Sequence, residues 1–227
     1  MSDAAGTMTR RAYRDAPLTV RVHVAGRWWT CPFAPIADAL EGADRVLDVG
    51  CGHGLFPLYL ATRHAASEIV GVDIDREKLI TARAAALAAG LDGRVRFDAV
   101  DAGYTPADEP PVRPVGGWDG ISVVDVLYLL GQERALRLLQ TAAKALAPGG
   151  RLVVKEIDTT PVWKHRISAA QEVVATRVLR MTQGDHNQQV PSSTVAAEMS
   201  SAGLDVMTVR LDRGRIHPDY MVVGTRS

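Results

Sequence analysis

RVLDVGCGHG, residues 45–54, is a short apolar run that closes in three glycines at alternate positions. Val46, Leu47 and Val49 favour β structure and show no helical spacing, so the run predicts a buried strand that ends in a tight turn. Residues 55–66 predict a helix, with Pro57 tolerated in its first turn. Glycines let a ligand approach the turn backbone, and free N–H groups at a helix start favour an anionic group. The unit predicts a site for a nucleotide-like ligand.

Composition and charge narrow the class of protein. The chain has 227 residues, with 26 basic and 26 acidic side chains, so it lacks the positive charge with which proteins grip nucleic acid. Its two cysteines, Cys31 and Cys51, are too few for a disulfide framework. The sequence contains no apolar run of membrane-spanning length and no signal peptide. We therefore expect a single-domain cytoplasmic protein with no nucleic-acid partner.

Strand and helix patterns alternate over residues 46–157, which predicts a parallel sheet with helices on both faces. Ligands of such sheets bind at the carboxyl ends of the strands. Apolar residues of the helix after the second strand, Leu79, Ile80, Ala86 and Leu87, are expected to face inward, and Ser192 or Ser193 is expected to cap a later helix. The predicted strands are 46–49, 68–75, 95–100, 121–126 and 152–157, followed by an antiparallel pair at 206–211 and 220–223.

Two segments fall outside this core. Residues 1–44 form an N-terminal arm, in which Val20, Val22 and Val24 begin in alternation before Trp28 and Trp29. The arm is interpreted either as a segment packed on the core or as a cap that contacts substrate. Residues 158–191 are interpreted as a lid-like insert, containing an amphipathic helix at 162–181 that serves as lid, interface or core. The main domain is expected to cover residues 45–227.

An acid follows the glycine turn at the end of the next strand. Asp73 lies 23 residues beyond Gly50, a spacing that lets a carboxylate accept hydrogen bonds from both hydroxyls of a ribose. The turn reads Gly-x-Gly-x-Gly and not the pattern of dinucleotide-binding folds. Asp48, two residues before Gly50, would repel a pyrophosphate and suits a ligand that carries an ammonium and a sulfonium. The sequence therefore predicts a cationic nucleoside ligand.

Five motifs, in order, resemble those of the class I S-adenosylmethionine-dependent methyltransferases, and the resemblance extends from Arg45 to the C-terminus. They are residues 47–54, 71–73, 101–102, 118–128 and 146–152. The resemblance implies a Rossmann-like, seven-stranded, mostly parallel sheet with a final antiparallel strand. It also implies that Asp73 binds the ribose and that the pair Asp101-Ala102 brackets the adenine. The residues expected to hold S-adenosylmethionine, and its product S-adenosylhomocysteine, are Asp48, Gly50, Cys51, Gly52, His53, Gly54, Asp73, Ile74, Asp101, Ala102 and Asp125.

Three residues near the strand ends are candidates for proton transfer or substrate contact, namely Tyr128, Glu156 and His165. Glu156 has two interpretations: it faces the pocket, or it pairs with a basic group. The fourth motif lacks the N/D-P-P-aromatic turn of base-amino methyltransferases, which favours a small-molecule acceptor. We expect O-methylation ahead of N- or C-methylation, without a metal. The alternatives are an RNA or protein methyltransferase of the same fold and an NAD(P)-dependent oxidoreductase. The sequence does not determine the oligomeric state.

Overall fold

The computed structural model describes residues 4–64, 68–107, 114–158, 189–212 and 218–227. Its helices are α1 (Ala4–Arg11), α2 (Leu18–Thr30), α3 (Phe33–Ala39), α4 (Leu55–Arg63), α5 (Arg76–Ala88), α6 (Leu127–Leu130), α7 (Gln132–Ala145) and α8 (Ser192–Ser201). Its strands are β1 (Arg45–Val49), β2 (Glu68–Asp73), β3 (Val95–Ala99), β4 (Trp118–Val124), β5 (Leu146–Ile157), β6 (Leu204–Arg210) and β7 (Asp219–Arg226). The predicted helix at 162–181, His165 and most of the predicted insert lie outside the described residues.

The strands form one seven-stranded sheet in the order β3-β2-β1-β4-β5-β7-β6. Strands β1 to β5 are parallel, and β7 runs antiparallel between β5 and β6. The predicted Rossmann-like sheet with a final antiparallel strand is confirmed. Because β7 runs in the opposite direction, its first residue, Asp219, lies beside Ile157 at the carboxyl end of β5.

Alternate residues of the strands divide the core between the two faces of the sheet. In β5, Leu152 and Val154 belong to one buried cluster and Val153 belongs to the other. Helices α7 and α8 cover the first face, whereas α1 to α5 cover the second. This two-sided burial accounts for the nearly continuous apolar strands that the sequence shows.

The N-terminal arm is helical and packs on the core. Val20, Val24 and Trp28 recur at a spacing of four residues and turn one face of α2 inward, so the initial alternation does not extend into a strand. The Trp28 ring packs edge-on against Tyr59 with a centroid distance of 5.2 Å, while Trp29 points outward. The interpretation of a packed arm therefore agrees with the structure.

Two local predictions were wrong. In α5, Leu79 and Ala86 are buried as expected, but Ile80 and Leu87 are exposed, because only one stripe of the helix faces the sheet. Neither Ser192 nor Ser193 caps α8: Pro191 occupies the cap position, and the Ser192 hydroxyl donates to Asp158 Oδ2 at 3.0 Å. Across the described ranges, no helix is both long and apolar enough to cross a membrane.

Candidate active site

A cavity of 1110 Å³ opens at the carboxyl ends of the parallel strands. The glycine turn after β1, the ends of β2, β4 and β5, the start of β7 and one face of α2 all line it. Apart from His165, every residue predicted for the site except Gly54 lines this cavity. The fold therefore brings together residues that lie up to 197 positions apart in the chain, from Val22 to Asp219.

The backbone of the glycine turn packs closely against the core on one side and is open towards the cavity on the other. Gly50 has φ +74°, and a Cβ there would lie 2.4 Å from Val126 Cγ2. A Cβ on Gly54 would lie 2.6 Å from Phe97 Cζ, so Gly54 packs beneath the turn. Gly52 has φ +55°, and a Cβ there would meet nothing within 4 Å. The backbone at Gly52 is consequently the part of the turn that a ligand can approach.

Asp73 is fixed in place by backbone amides. Its Oδ2 accepts a hydrogen bond from Gly52 N at 2.7 Å, and its Oδ1 accepts one from Asp75 N at 2.9 Å. Asp75 in turn caps α5, as predicted, by accepting from the amides of Glu77 and Lys78. The Asp73 carboxylate is thereby held at the mouth of the glycine turn with acceptor capacity left for a ligand.

Asp48 lies beneath the turn and is 3% exposed. It accepts a hydrogen bond of 2.6 Å from the Ser122 hydroxyl. Burial, reinforced by the nearby charge of Asp73 and opposed by the Ser122 hydrogen bond, raises the pKa of Asp48 to about 7. At neutral pH this carboxyl is therefore only partly ionised. The predicted repulsion of a pyrophosphate would then come mainly from Asp73 and Asp101, which line the same cavity.

The remaining predicted cofactor residues surround the turn. Ile74, Asp101 and Ala102 line the cavity beyond the ends of β2 and β3. The buried Cys51 thiol has its pKa raised, chiefly by burial. His53 packs edge-on against His23 of α2, at a ring distance of 5.2 Å, and burial lowers the pKa of both imidazoles, for His23 to about 3. The two rings are consequently neutral where the arm meets the turn.

A chain of four charges crosses the floor of the cavity, and sequence reasoning missed three of them. Asp125 Oδ2 lies 2.7 Å from Arg27 Nη1 of α2, and Asp125 Oδ1 lies 2.8 Å from Lys155 Nζ of β5. Lys155 Nζ also lies 2.7 Å from Asp219 Oδ1. Asp125 itself has φ +56°, an unusual value for a residue other than glycine. We call Arg27, Asp125, Lys155 and Asp219 the ion chain.

Mutual attraction keeps the ion chain charged although it is buried. Desolvation alone would lower the pKa of Lys155, but the Asp125 and Asp219 carboxylates raise it above its ordinary value. Desolvation would likewise raise the pKa of Asp125, and Lys155 and Arg27 hold it below the ordinary value. Two cations and two carboxylates balance, so the floor of the cavity has no net charge from this group.

Glu156 supports the loop that carries Asp125. Its Oε1 accepts hydrogen bonds from Val126 N at 2.7 Å and from Leu127 N at 2.6 Å. Burial and the neighbouring Asp125 charge raise the pKa of Glu156 to about 8. Of the two interpretations left open by the sequence, the structure agrees with the one in which Glu156 faces the pocket, because Glu156 lines the cavity. Its Oε1 accepts from backbone amides and not from a basic side chain. Tyr128, the second residue of α6, also lines the cavity.

Glu156→Ala is expected to lower the free energy of unfolding by about 2–4 kcal/mol, because two buried amides lose their acceptor. Glu156→Gln is the matched variant, since its side-chain oxygen still accepts from both amides, and we expect a loss of less than about 1 kcal/mol. Denaturant unfolding of the two variants measures the difference. Equal losses would show that the amide contacts contribute nothing to stability.

The chain resembles known proteins over most of its length. Residues 28–209 match the family described as a methyltransferase domain. The ubiquinone biosynthesis O-methyltransferase of Idiomarina loihiensis is 30% identical over 168 residues, covering 66% of this chain and 64% of that protein. Methyltransferase GfsG of Streptomyces halstedii is 33% identical over 172 residues, covering 68% and 55%. The structure of the S-adenosylmethionine-dependent methyltransferase SibL is 25% identical with a TM-score of 0.69, covering 91% of this chain and 57% of that one.

The chain belongs to the methyltransferase-domain family, because the match runs from α2 to β6 and includes the glycine turn and the ends of β2 and β4. The predicted membership of the class I S-adenosylmethionine-dependent methyltransferases is confirmed, and with it the cofactor of the class. The chain spans 64% and 55% of the length of the two curated relatives named above.

Proposed function

We propose that this protein transfers the methyl group of S-adenosylmethionine to a hydroxyl of a small molecule. The observation that carries the proposal is the Asp73 carboxylate, fixed by the amides of Gly52 and Asp75 at the open side of the glycine turn. Such a carboxylate is oriented to accept hydrogen bonds from the two hydroxyls of a ribose. The name of the O-methyltransferase relative from Idiomarina loihiensis supports a hydroxyl as the acceptor.

The cavity fits this cofactor by its donor and acceptor groups. The open backbone at Gly52 suits the methionine part, Asp73 suits the ribose, and Asp101 with Ala102 and Ile74 suits the adenine. Arg27 lines the cavity, and Nη1 of its guanidinium donates to Asp125. The other N–H groups of the guanidinium suit the carboxylate of the cofactor. The cofactor supplies an electrophilic methyl group on a sulfonium.

The residues of the chain contribute alignment and exclusion of water. Methyl transfer is an in-line displacement, so holding the acceptor oxygen on the axis of the methyl group supplies much of the rate. His23 and Arg27 bring α2 over the cavity beside the glycine turn, which supports a role of the arm in excluding water. The acceptor space lies beyond the turn, where Phe33, Tyr128, Leu129 and Leu138 provide an apolar lining.

A small-molecule acceptor agrees with the charge of the chain. Equal numbers of acidic and basic residues argue against the RNA methyltransferase alternative, and the family match argues against the oxidoreductase. We also propose that residues 1–44 act as a cap on the main domain, since α2 both packs on the core and lines the cavity.

Calorimetry with S-adenosylmethionine, S-adenosylhomocysteine and NADPH tests the cofactor, and mass spectrometry of hydroxylated aromatic compounds after incubation tests the transfer. We expect the two adenosyl compounds to bind, NADPH not to bind, and one or more acceptors to gain the mass of a methylene group. Binding of NADPH alone would favour the oxidoreductase. Methylation confined to RNA or protein in a cell extract would favour the second alternative.

Affinity for S-adenosylmethionine is expected to rise several-fold between pH 6 and pH 8, because the pKa of Asp48 is about 7 and a cationic ligand prefers its ionised form. Below that pKa the carboxyl is protonated and neutral, so the attraction is lost as the pH falls. Asp48→Asn keeps the Ser122 contact and removes the titration. Calorimetric affinities for the variant should therefore vary less with pH, and an unchanged profile would assign the dependence to another group.

A further inference from the structure

We propose that Asp219 is a catalytic residue that binds the reacting hydroxyl of the acceptor and receives its proton. The inference rests on the proposed function, since it assigns the acceptor side of the same cavity. Asp219 is 0% exposed, lies at the start of β7 and lines the cavity. It lies outside every motif that the sequence offers, and only the antiparallel direction of β7 brings it to the carboxyl end of β5.

The Asp219 carboxylate has hydrogen-bonding capacity that the described part of the chain does not use. Its Oδ1 is 2.7 Å from Lys155 Nζ as an ion pair, yet neither oxygen makes a hydrogen bond of good geometry within that part. By contrast, both oxygens of Asp125 accept such bonds, from Arg27 and Lys155. Buried carboxylate oxygens are rarely left unsatisfied, so an oxygen that lines a cavity indicates a partner supplied from within it.

The sheet order separates the two ligands. The cofactor groups expected at Asp101, Asp73 and the glycine turn lie at the ends of β3, β2 and β1 in that order across the sheet. The next strands in the same direction across the sheet are β4, β5 and β7, and Asp219 is the first residue of β7. An acceptor must lie on the side of the cofactor that the methionine end faces. Asp219, which lines the cavity, is therefore on the acceptor side of the proposed cofactor position.

The alternative reading is that Asp219 only balances the charge of Lys155. That role needs one carboxylate oxygen near the ammonium, and Oδ1 supplies it. It leaves Oδ2 unexplained, whereas a hydroxyl donor satisfies it. Lys155, held between Asp125 and Asp219, fixes Oδ1 of Asp219 through the ion pair and leaves Oδ2 to face a hydroxyl of the acceptor.

The proposed step balances. The acceptor oxygen forms a bond to the methyl carbon as the bond from that carbon to sulfur breaks, and the sulfur keeps the electron pair and becomes neutral. The acceptor O–H proton moves to Asp219 Oδ2, which becomes a carboxylic acid and later releases the proton to solvent. No oxidant, reductant or metal takes part.

The test is catechol, used as a hydroxyl probe on the protein saturated with S-adenosylhomocysteine. In a crystal soaked with millimolar catechol, we expect a hydroxyl oxygen within hydrogen-bond distance of Asp219 Oδ2. By calorimetry, Asp219→Asn should weaken catechol binding by about 10-fold or more, because a bond to a charged acceptor becomes a bond to a neutral one. Affinity for S-adenosylhomocysteine should be unchanged.

Asp158→Asn is the matched control, because Asp158 is also a buried carboxylate at this end of β5 but is paired with Arg210 at 2.9 Å and with Ser192. It should bind catechol like the unaltered protein. The proposal is overturned if catechol lies elsewhere, if it does not bind, if only water occupies Oδ2, or if both variants bind alike. Failure of S-adenosylhomocysteine itself to bind would instead contradict the proposed function. The crystal readout uses the unaltered protein and does not depend on the folding of a variant.

Discussion

Lys155→Met is expected to lower the free energy of unfolding by about 3–5 kcal/mol, since removing one partner of a buried ion pair leaves charge without compensation. Lys155 is 2% exposed and lies between Asp125 and Asp219, whose side chains are 8% and 1% exposed. Methionine fills a similar volume, so lost packing contributes little to the effect. Denaturant unfolding at neutral pH measures it.

Arg96→Met is the control for removing a cation from an ion pair. Arg96 lies 2.8 Å from Asp98 with its side chain 55% exposed, and such pairs contribute only about 0–1 kcal/mol. A similar small loss for Lys155→Met would mean that the two carboxylates take up protons or water without cost. In that case the ion chain would not determine the geometry of the cavity floor.

Asp73→Ala is expected to weaken S-adenosylmethionine binding by about 100-fold or more, because each hydrogen bond to a charged group contributes about 1.5–3 kcal/mol. The variant removes the acceptor for two ribose hydroxyls and also frees Gly52 N, which Asp73 Oδ2 holds at 2.7 Å. The loss therefore combines a missing contact with a less ordered turn. Calorimetry with the cofactor measures it directly.

Asp98→Ala is the matched control, since it removes a carboxylate from the neighbouring strand β3 without touching the large cavity. Its affinity for the cofactor should equal that of the unaltered protein. If Asp73→Ala bound equally well, the ribose assignment would be wrong, although the family membership would stand. If both variants lost affinity, net charge would be responsible and not the position of Asp73.

The part of the site that could be predicted is the part built from local sequence. The glycine turn, its strand and its helix are contiguous, and Asp73 ends the next strand, so each position follows from strand and turn patterns. Parallel strand order then brings Asp101 and Asp125 to the same edge. The alternation of strand and helix patterns was likewise sufficient to predict the parallel sheet, and the two strand segments after it predicted the antiparallel end.

The sequence pattern could not predict which side chains of a helix are buried or which group a cap residue contacts. Ile80 and Leu87 fit an apolar helix but lie outside the stripe of α5 that faces the sheet. Ser192 has the usual chemistry of a helix cap, yet Asp158 offers its hydroxyl a stronger, charged acceptor. In both cases the tertiary packing, and not the local pattern, decides what surrounds the side chain.

The sequence by itself determined the fold class and predicted the cofactor edge, because hydrophobic period, turn glycines and acids at strand ends are local properties. Only the tertiary structure decided how charges are paired across the cavity. Arg27, Lys155 and Asp219 come from α2, β5 and β7, and nothing in their immediate sequence marks them as neighbours. Their meeting depends on how α2 packs and on the antiparallel register of β7 against β5. The glycine turn is thus the proposed site of the methyl donor, and long-range packing forms the proposed acceptor side.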